Sequence, residues 1–155
     1  VLIYHTHGSE TYKKVNGKEG SVIEVGTALT KELENVYGIK TVHDKSVYDM
    51  VDGQLDRNAA YNFAGDSVEA ALRKNPSVKV VIDLHRDSVE NNIHLRTKIN
   101  GKSAAQIMFF NGVSRLASKG DIGYLYNPNK EANLAFSLQM QLLCGKYYPD
   151  LTRRI

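Results

Sequence analysis

The chain has 155 residues, of which 42% are hydrophobic and 24% charged, close to the averages for globular proteins. That balance excludes a disordered chain, a collagen and a coiled coil, and no apolar run approaches the ~20 residues of a membrane span. The net charge of +3 is too small to argue for nucleic acid, and a single cysteine excludes an internal disulfide framework.

Val1-Leu2-Ile3-Tyr4 is a short apolar, β-prone run and predicts a buried strand. A polar stretch, 5–20, follows. Ser21 predicts a helix N-cap, and Val22, Val25, Leu29, Leu33 and Val36 recur at helical spacing up to a stop at Gly38. Ile39-Lys40-Thr41-Val42 predicts a second strand. The loop 44–57 carries two tyrosine/aspartate elements. Asn58 predicts the cap of a second helix, with Ala60, Phe63, Ala64, Val68, Ala71 and Leu72 inward and a stop near Asn75-Pro76. Val78 to Leu84 is the strongest strand signal. Leu95–Ile99 and Ala105–Phe110 predict a hairpin around Asn100-Gly101, the favoured type I′ pair. A last helix runs from about Lys130 through Leu134, Leu138, Met140, Leu142 and Leu143, and Pro149 ends it.

Strand–helix–strand–helix–strand at these lengths predicts parallel strands with right-handed crossovers. The expected fold is a single α/β domain over residues 1–155, with a mixed, mostly parallel twisted sheet flanked by helices. The chain opens inside a strand-like run and closes on Leu151-Thr152-Arg153-Arg154-Ile155 without a stop signal. It is expected to be a piece of a longer protein.

This topology lays the ends of strands one and three and the start of helix one along one sheet edge, where open α/β sheets bind ligands. His5 and His7 fall just past strand one, and His85 just past strand three. Glu24 lies in the first turn of helix one, off its apolar stripe. Two imidazoles and one carboxylate with an open position form the ligand set of a catalytic zinc. Alternate residues of an extended segment point opposite ways, so at most one of His5 and His7 reaches a metal. His43, at the end of strand two, is the main competitor; His94 has no such support. Each residue also has a plainer role: a loop histidine forms local hydrogen bonds, and Glu24 complements the helix dipole.

Ile3-Tyr4-His5-Thr6-His7-Gly8-Ser9-Glu10, then Val22-Ile23-Glu24-Val25-Gly26, then Ile82-Asp83-Leu84-His85-Arg86-Asp87 resembles the stage II sporulation protein P family of peptidoglycan hydrolases. The resemblance extends through Val42-His43-Asp44 and the Tyr48-Asp49 loop and covers essentially the whole chain. That family is similar to zinc-dependent N-acetylmuramoyl-L-alanine amidases, which share a His, Glu, His ligand order and an amidase-like α/β fold. Thr6-His7-Gly8-Ser9 overlays their Gly-His-Gly-Gly turn. The resemblance therefore implies Zn2+ held by His7, Glu24 and His85, with His5 behind them orienting a ligand.

It further implies hydrolysis of the muramoyl-L-alanine amide, and of stem-peptide cross-links, during engulfment of the forespore. Peptidoglycan is the implied substrate, and the companion lytic transglycosylase, stage II sporulation protein D, the implied partner. The implied location is outside the cytoplasmic membrane, between mother cell and forespore, with an N-terminal anchor beyond this chain. Related amidases carry a general-base Glu on a late strand that this chain does not reach. Glu10 and Asp87 are the weak substitutes, and each has an ordinary structural use. Arg86, Tyr12 and Tyr48 are expected to bind substrate, with Asp49 and Tyr61 beside them. Cys144 is expected to be core. The competing readings are another zinc peptidase of carboxypeptidase type and a non-catalytic wall-binding module.

Overall fold

The computed structural model describes residues 1–12, 19–90, 92–118 and 120–153. Two compact units make up the chain, Val1–Ser88 and Val89–Ile155.

The first unit contains β1 (Leu2–Tyr4), α1 (Val22–Asn35), β2 (Val42–His43), β3 (Met50–Val51), β4 (Gln54–Leu55), α2 (Arg57–Lys74) and β5 (Val81–Asp83). β1 is the middle strand of a parallel sheet ordered β2-β1-β5, and β3 and β4 form a separate antiparallel pair. Leu2 lies opposite Val42 and Val81, Ile3 opposite His43 and Ile82, and Tyr4 opposite Asp83. Leu2 and Ile3 point to opposite faces, yet both are buried, as a parallel sheet covered on two sides requires. The two outer strands are shorter than their apolar runs: β5 matches the three residues of β1, and β2 pairs with only two of them.

Ser21 caps α1 as expected, in a reciprocal capping box with Glu24. The buried face of this helix is Val22 and Gly26, however, not the full stripe through Val25, which is exposed. α2 begins at Arg57 rather than after Asn58. The carboxylate of Asp56 accepts from the backbone N–H groups of Asn58 and Ala59 and sets the start there. Ala60 and Ala64 of α2 pack with Tyr48 and Tyr4; Phe63 is exposed.

The second unit contains the hairpin β6 (Arg96–Ile99) and β7 (Lys102–Ala105), the short pair β8 (Arg115–Leu116) and β9 (Gly120–Asp121), and α3 (Lys130–Tyr147). Asn100 and Gly101 both have positive φ, 49° and 76°, as the type I′ turn demands. β7 begins earlier than its apolar run and stops at Ala105. Beyond it, Ile107 pairs with Thr152 instead of with β6. α3 carries no fully buried residue, and Cys144 on it is only partly buried. Among the described residues no helix is long and apolar enough to cross a membrane.

Candidate functional site

β1 and β5 end side by side, so His5-Thr6-His7 and Leu84-His85-Arg86 leave the sheet together. His5 and His7 take different neighbours. His5 is fully buried; its Nδ1 lies 2.9 Å from the Leu84 carbonyl and its Nε2 lies 2.9 Å from His43 Nε2. This pair sits against α1 at Gly26, where a Cβ would come within 2.6 Å of His43 Nε2 and 2.7 Å of His5 Nε2. Only glycine leaves the two rings their space.

His7 stacks edge-on against His85, with ring centroids 5.1 Å apart, and against Tyr61 at 5.3 Å. Its Nδ1 is buried and has no hydrogen-bond partner among the described residues. A buried polar atom without a partner is rare and asks for an explanation.

One carboxylate ties the two histidine-bearing segments together. Asp83 accepts from Thr6 N at 2.9 Å and Thr6 Oγ1 at 2.6 Å, and its Oδ2 lies 2.9 Å from His85 Nε2. A second acid, Glu10, is buried to 6% exposure. Its Oε2 accepts from Arg86 N at 3.0 Å and lies 3.8 Å from His85 Nδ1, and its Oε1 lies 3.8 Å from Arg57 Nη1. A third, Asp49, is fully buried and accepts from Ser9 N at 3.2 Å and Ser9 Oγ at 2.5 Å.

These contacts set the protonation preferences. The bond to Asp83 raises the pKa of His85 against the opposing effect of burial. Burial alone raises Asp83, but the bonds from His85 and Thr6 outweigh it and hold the carboxyl below its usual range. Burial lowers both His5 and His43, and the proximity of His5 lowers His43 further. Tyr4 is pushed up to about 12 by burial and by Asp83.

Of the sequence-derived candidates, His7 and His85 are brought together, and Glu10 joins them. Glu24 is exposed, and its Oε2 accepts from Ser21 N at 2.8 Å in the capping box. His5 pairs with His43. Arg86 follows His85, donates its backbone N–H to Glu10, and keeps a buried Nε without a partner among the described residues. Its Nη1 makes a long 3.4 Å bond to the Asp87 carbonyl. Tyr12 is partly exposed, and burial raises its pKa. Tyr48 packs on Ala60 and Ala64, its hydroxyl donates to Asp44, and it also lines a pocket with Val47, Met50, Phe63 and Asp66. Asp49 is likewise buried beneath Ser9 rather than open to a ligand.

Asp83 and Arg57 were not legible as site residues. Asp83 sits two residues before His85, the spacing that puts side chains on one face of an extended segment, and that spacing was the available signal. Arg57 had none.

The donor chemistry of this edge fits zinc: two adjacent imidazoles, one with a bare buried nitrogen, and carboxylates within the same turns. Among the described residues no group of three or more His, Cys, Asp or Glu side chains is arranged to hold a metal ion, and Glu24 is engaged in its capping box.

Residues 1–155 match the family model of Stage II sporulation protein P. The chain belongs to this family. It is 26% identical over 163 residues to the Stage II sporulation protein P of Bacillus subtilis (strain 168), an alignment that takes in 98% of this chain. The chain spans 37% of that relative's length. No solved structure matches it. The three sequence segments that carry the resemblance fall at the end of β1, in the first turn of α1 and at the end of β5.

Proposed function

We propose that this chain is the catalytic part of a zinc-dependent hydrolase that cleaves the amide between N-acetylmuramic acid and L-alanine in peptidoglycan during sporulation. The observation that carries this reading is the buried, unpartnered Nδ1 of His7 beside the ring of His85. Membership of the family supports it. His7, Glu24 and His85 would hold Zn2+, which when bound supplies an acidified water and polarises the scissile carbonyl.

The chain's own residues then have definite tasks. Glu10 is a buried acid 3.8 Å from His85 Nδ1 whereas Asp83 is engaged with Thr6 and His85 Nε2, so Glu10 is the candidate to take a proton from water. The Arg57 guanidinium lies beside it, and Arg86 donates its backbone N–H to it; both side chains belong to a chemical class suited to a stem-peptide carboxylate. Tyr61, against His7, and Tyr12 offer faces to the peptide. Cleavage of stem-peptide cross-links, action outside the cytoplasmic membrane at engulfment, a membrane anchor elsewhere in the protein and partnership with stage II sporulation protein D belong to the same reading.

Metal analysis and product analysis test it. The expected result is one zinc per chain, lost in His7→Ala and His85→Ala, and a new L-alanine amine on digestion of peptidoglycan. A carboxypeptidase-type product with zinc present would point to the other peptidase reading. Absence of zinc with retained wall binding would leave a binding module.

A further inference from the structure

His85 offers two nitrogens, and the structure treats them differently. Nε2 lies 2.9 Å from Asp83 Oδ2, a full hydrogen bond. Nδ1 lies 3.8 Å from Glu10 Oε2, beyond hydrogen-bond reach. A neutral imidazole carries one proton, and a carboxylate can only accept. The proton therefore belongs on Nε2, and the lone pair belongs on Nδ1.

Asp83 is itself held. Thr6 donates to it twice, through its backbone N–H and its hydroxyl, so the carboxylate cannot turn away from the ring. Thr6 is the residue between His5 and His7. The same carboxylate thus fixes the His85 ring and the turn that carries His7. We propose that Asp83 is a positioning residue: it holds His85 in the Nε2–H form, sets its ring, and leaves Nδ1 as the donor atom for the metal. A carboxylate behind a ligating histidine has this effect in metal sites generally.

The role in metal binding rests on the zinc reading above; the role in fixing the tautomer does not. Two measurements keep them apart. The first is the 15N histidine spectrum of the metal-free protein at alkaline pH, where the ring is neutral. His85 should show a protonated Nε2, and Asp83→Asn should give a mixture of tautomers. The second is zinc affinity by competition with a chelator. Asp83→Asn should lose ~10–100-fold, and Thr6→Val, which removes one of the two bonds that hold Asp83, should lose affinity by a smaller factor.

A wild-type His85 protonated on Nδ1 overturns the proposal, and this needs no variant to fold. So does wild-type zinc affinity in Asp83→Asn while His85→Ala loses zinc. If His85→Ala retains its zinc, the zinc reading falls, and the tautomer measurement alone decides the role of Asp83.

Discussion

His5 and His43 face each other through their Nε2 atoms at 2.9 Å, and only one of these atoms can carry the hydrogen between them. The Leu84 carbonyl accepts, so His5 donates from Nδ1 and presents a bare Nε2. His43 must then donate from Nε2. Its own Nδ1 is left as a buried lone pair without a partner among the described residues. A proton added to His5 would set two N–H groups head to head.

Stability should therefore fall in mild acid. His5 and His43 have depressed folded-state pKa values, chiefly through burial. Their contribution is complete above the ordinary imidazole value of ~6.5 and is lost as pH falls toward the folded-state values. His85 runs the other way: its pKa is raised, so its contribution is present below ~6.5 and lost as pH rises through the folded-state value. His43→Gln removes one depressed group. Thermal melts should show a smaller loss of Tm between about pH 7 and about pH 5 than in the wild type. An identical loss would remove the histidine pair as its cause.

Gly26→Ala should destabilise the protein although alanine is the better helix former. Alanine gains ~1 kcal/mol of helix propensity. Against that, its Cβ would stand 2.6 Å and 2.7 Å from two hydrogen-bonded ring nitrogens, and overpacking of this kind costs about 1–3 kcal/mol. Denaturant unfolding at neutral pH should give a net loss. A neutral or stabilised variant would show that the rings yield.

Ser21 and Glu24 can be separated. Ser21→Ala removes the side-chain cap of α1 and should cost about 1 kcal/mol of stability while leaving zinc affinity unchanged. Glu24→Gln keeps an oxygen for the Ser21 N–H, so its folding cost should be small. Its zinc affinity should nevertheless drop. Chelator competition and denaturant melts on both variants give the comparison, and full zinc affinity in Glu24→Gln would exclude Glu24 as a ligand.

Asp49 should matter for folding alone. Asp49→Ala leaves the part-buried Ser9 hydroxyl and N–H without their acceptor, at a cost of about 1 kcal/mol. Adding Ser9→Ala should recover part of that loss, because the stranded hydroxyl goes with it. A double variant no more stable than Asp49→Ala would contradict this account.

The sequence carried the parts of the fold that local chemistry decides. The start of α1 at Ser21 and the turn at Asn100-Gly101 lie where cap and turn residues put them. It missed what pairing and packing decide. β5 keeps only Val81–Asp83 of its apolar run, the three residues that pair with β1. The inner face of α1 turns to Val22 and Gly26 because two histidine rings occupy the place of an apolar core. At the site, the motif histidines were legible one by one. Their division into one pair against Gly26 and another beside Tyr61 was not, because that depends on which strand ends adjoin. Tyr48 reads as a binding residue by its residue type; its packing on Ala60 and Ala64 was not legible, because it depends on where α2 lies.

The turn His5-Thr6-His7 works as an indexing device. Successive side chains go to His43, to Asp83 and to His85 in strict rotation. A substitution here changes one of those three contacts, whereas insertion or deletion of a single residue between Tyr4 and His7 shifts all three by one place. The imidazole now shut against Gly26 would be displaced toward Asp83, and the one facing His85 would lose its place. The segment is thus far less tolerant of a change in length than of a change in residue.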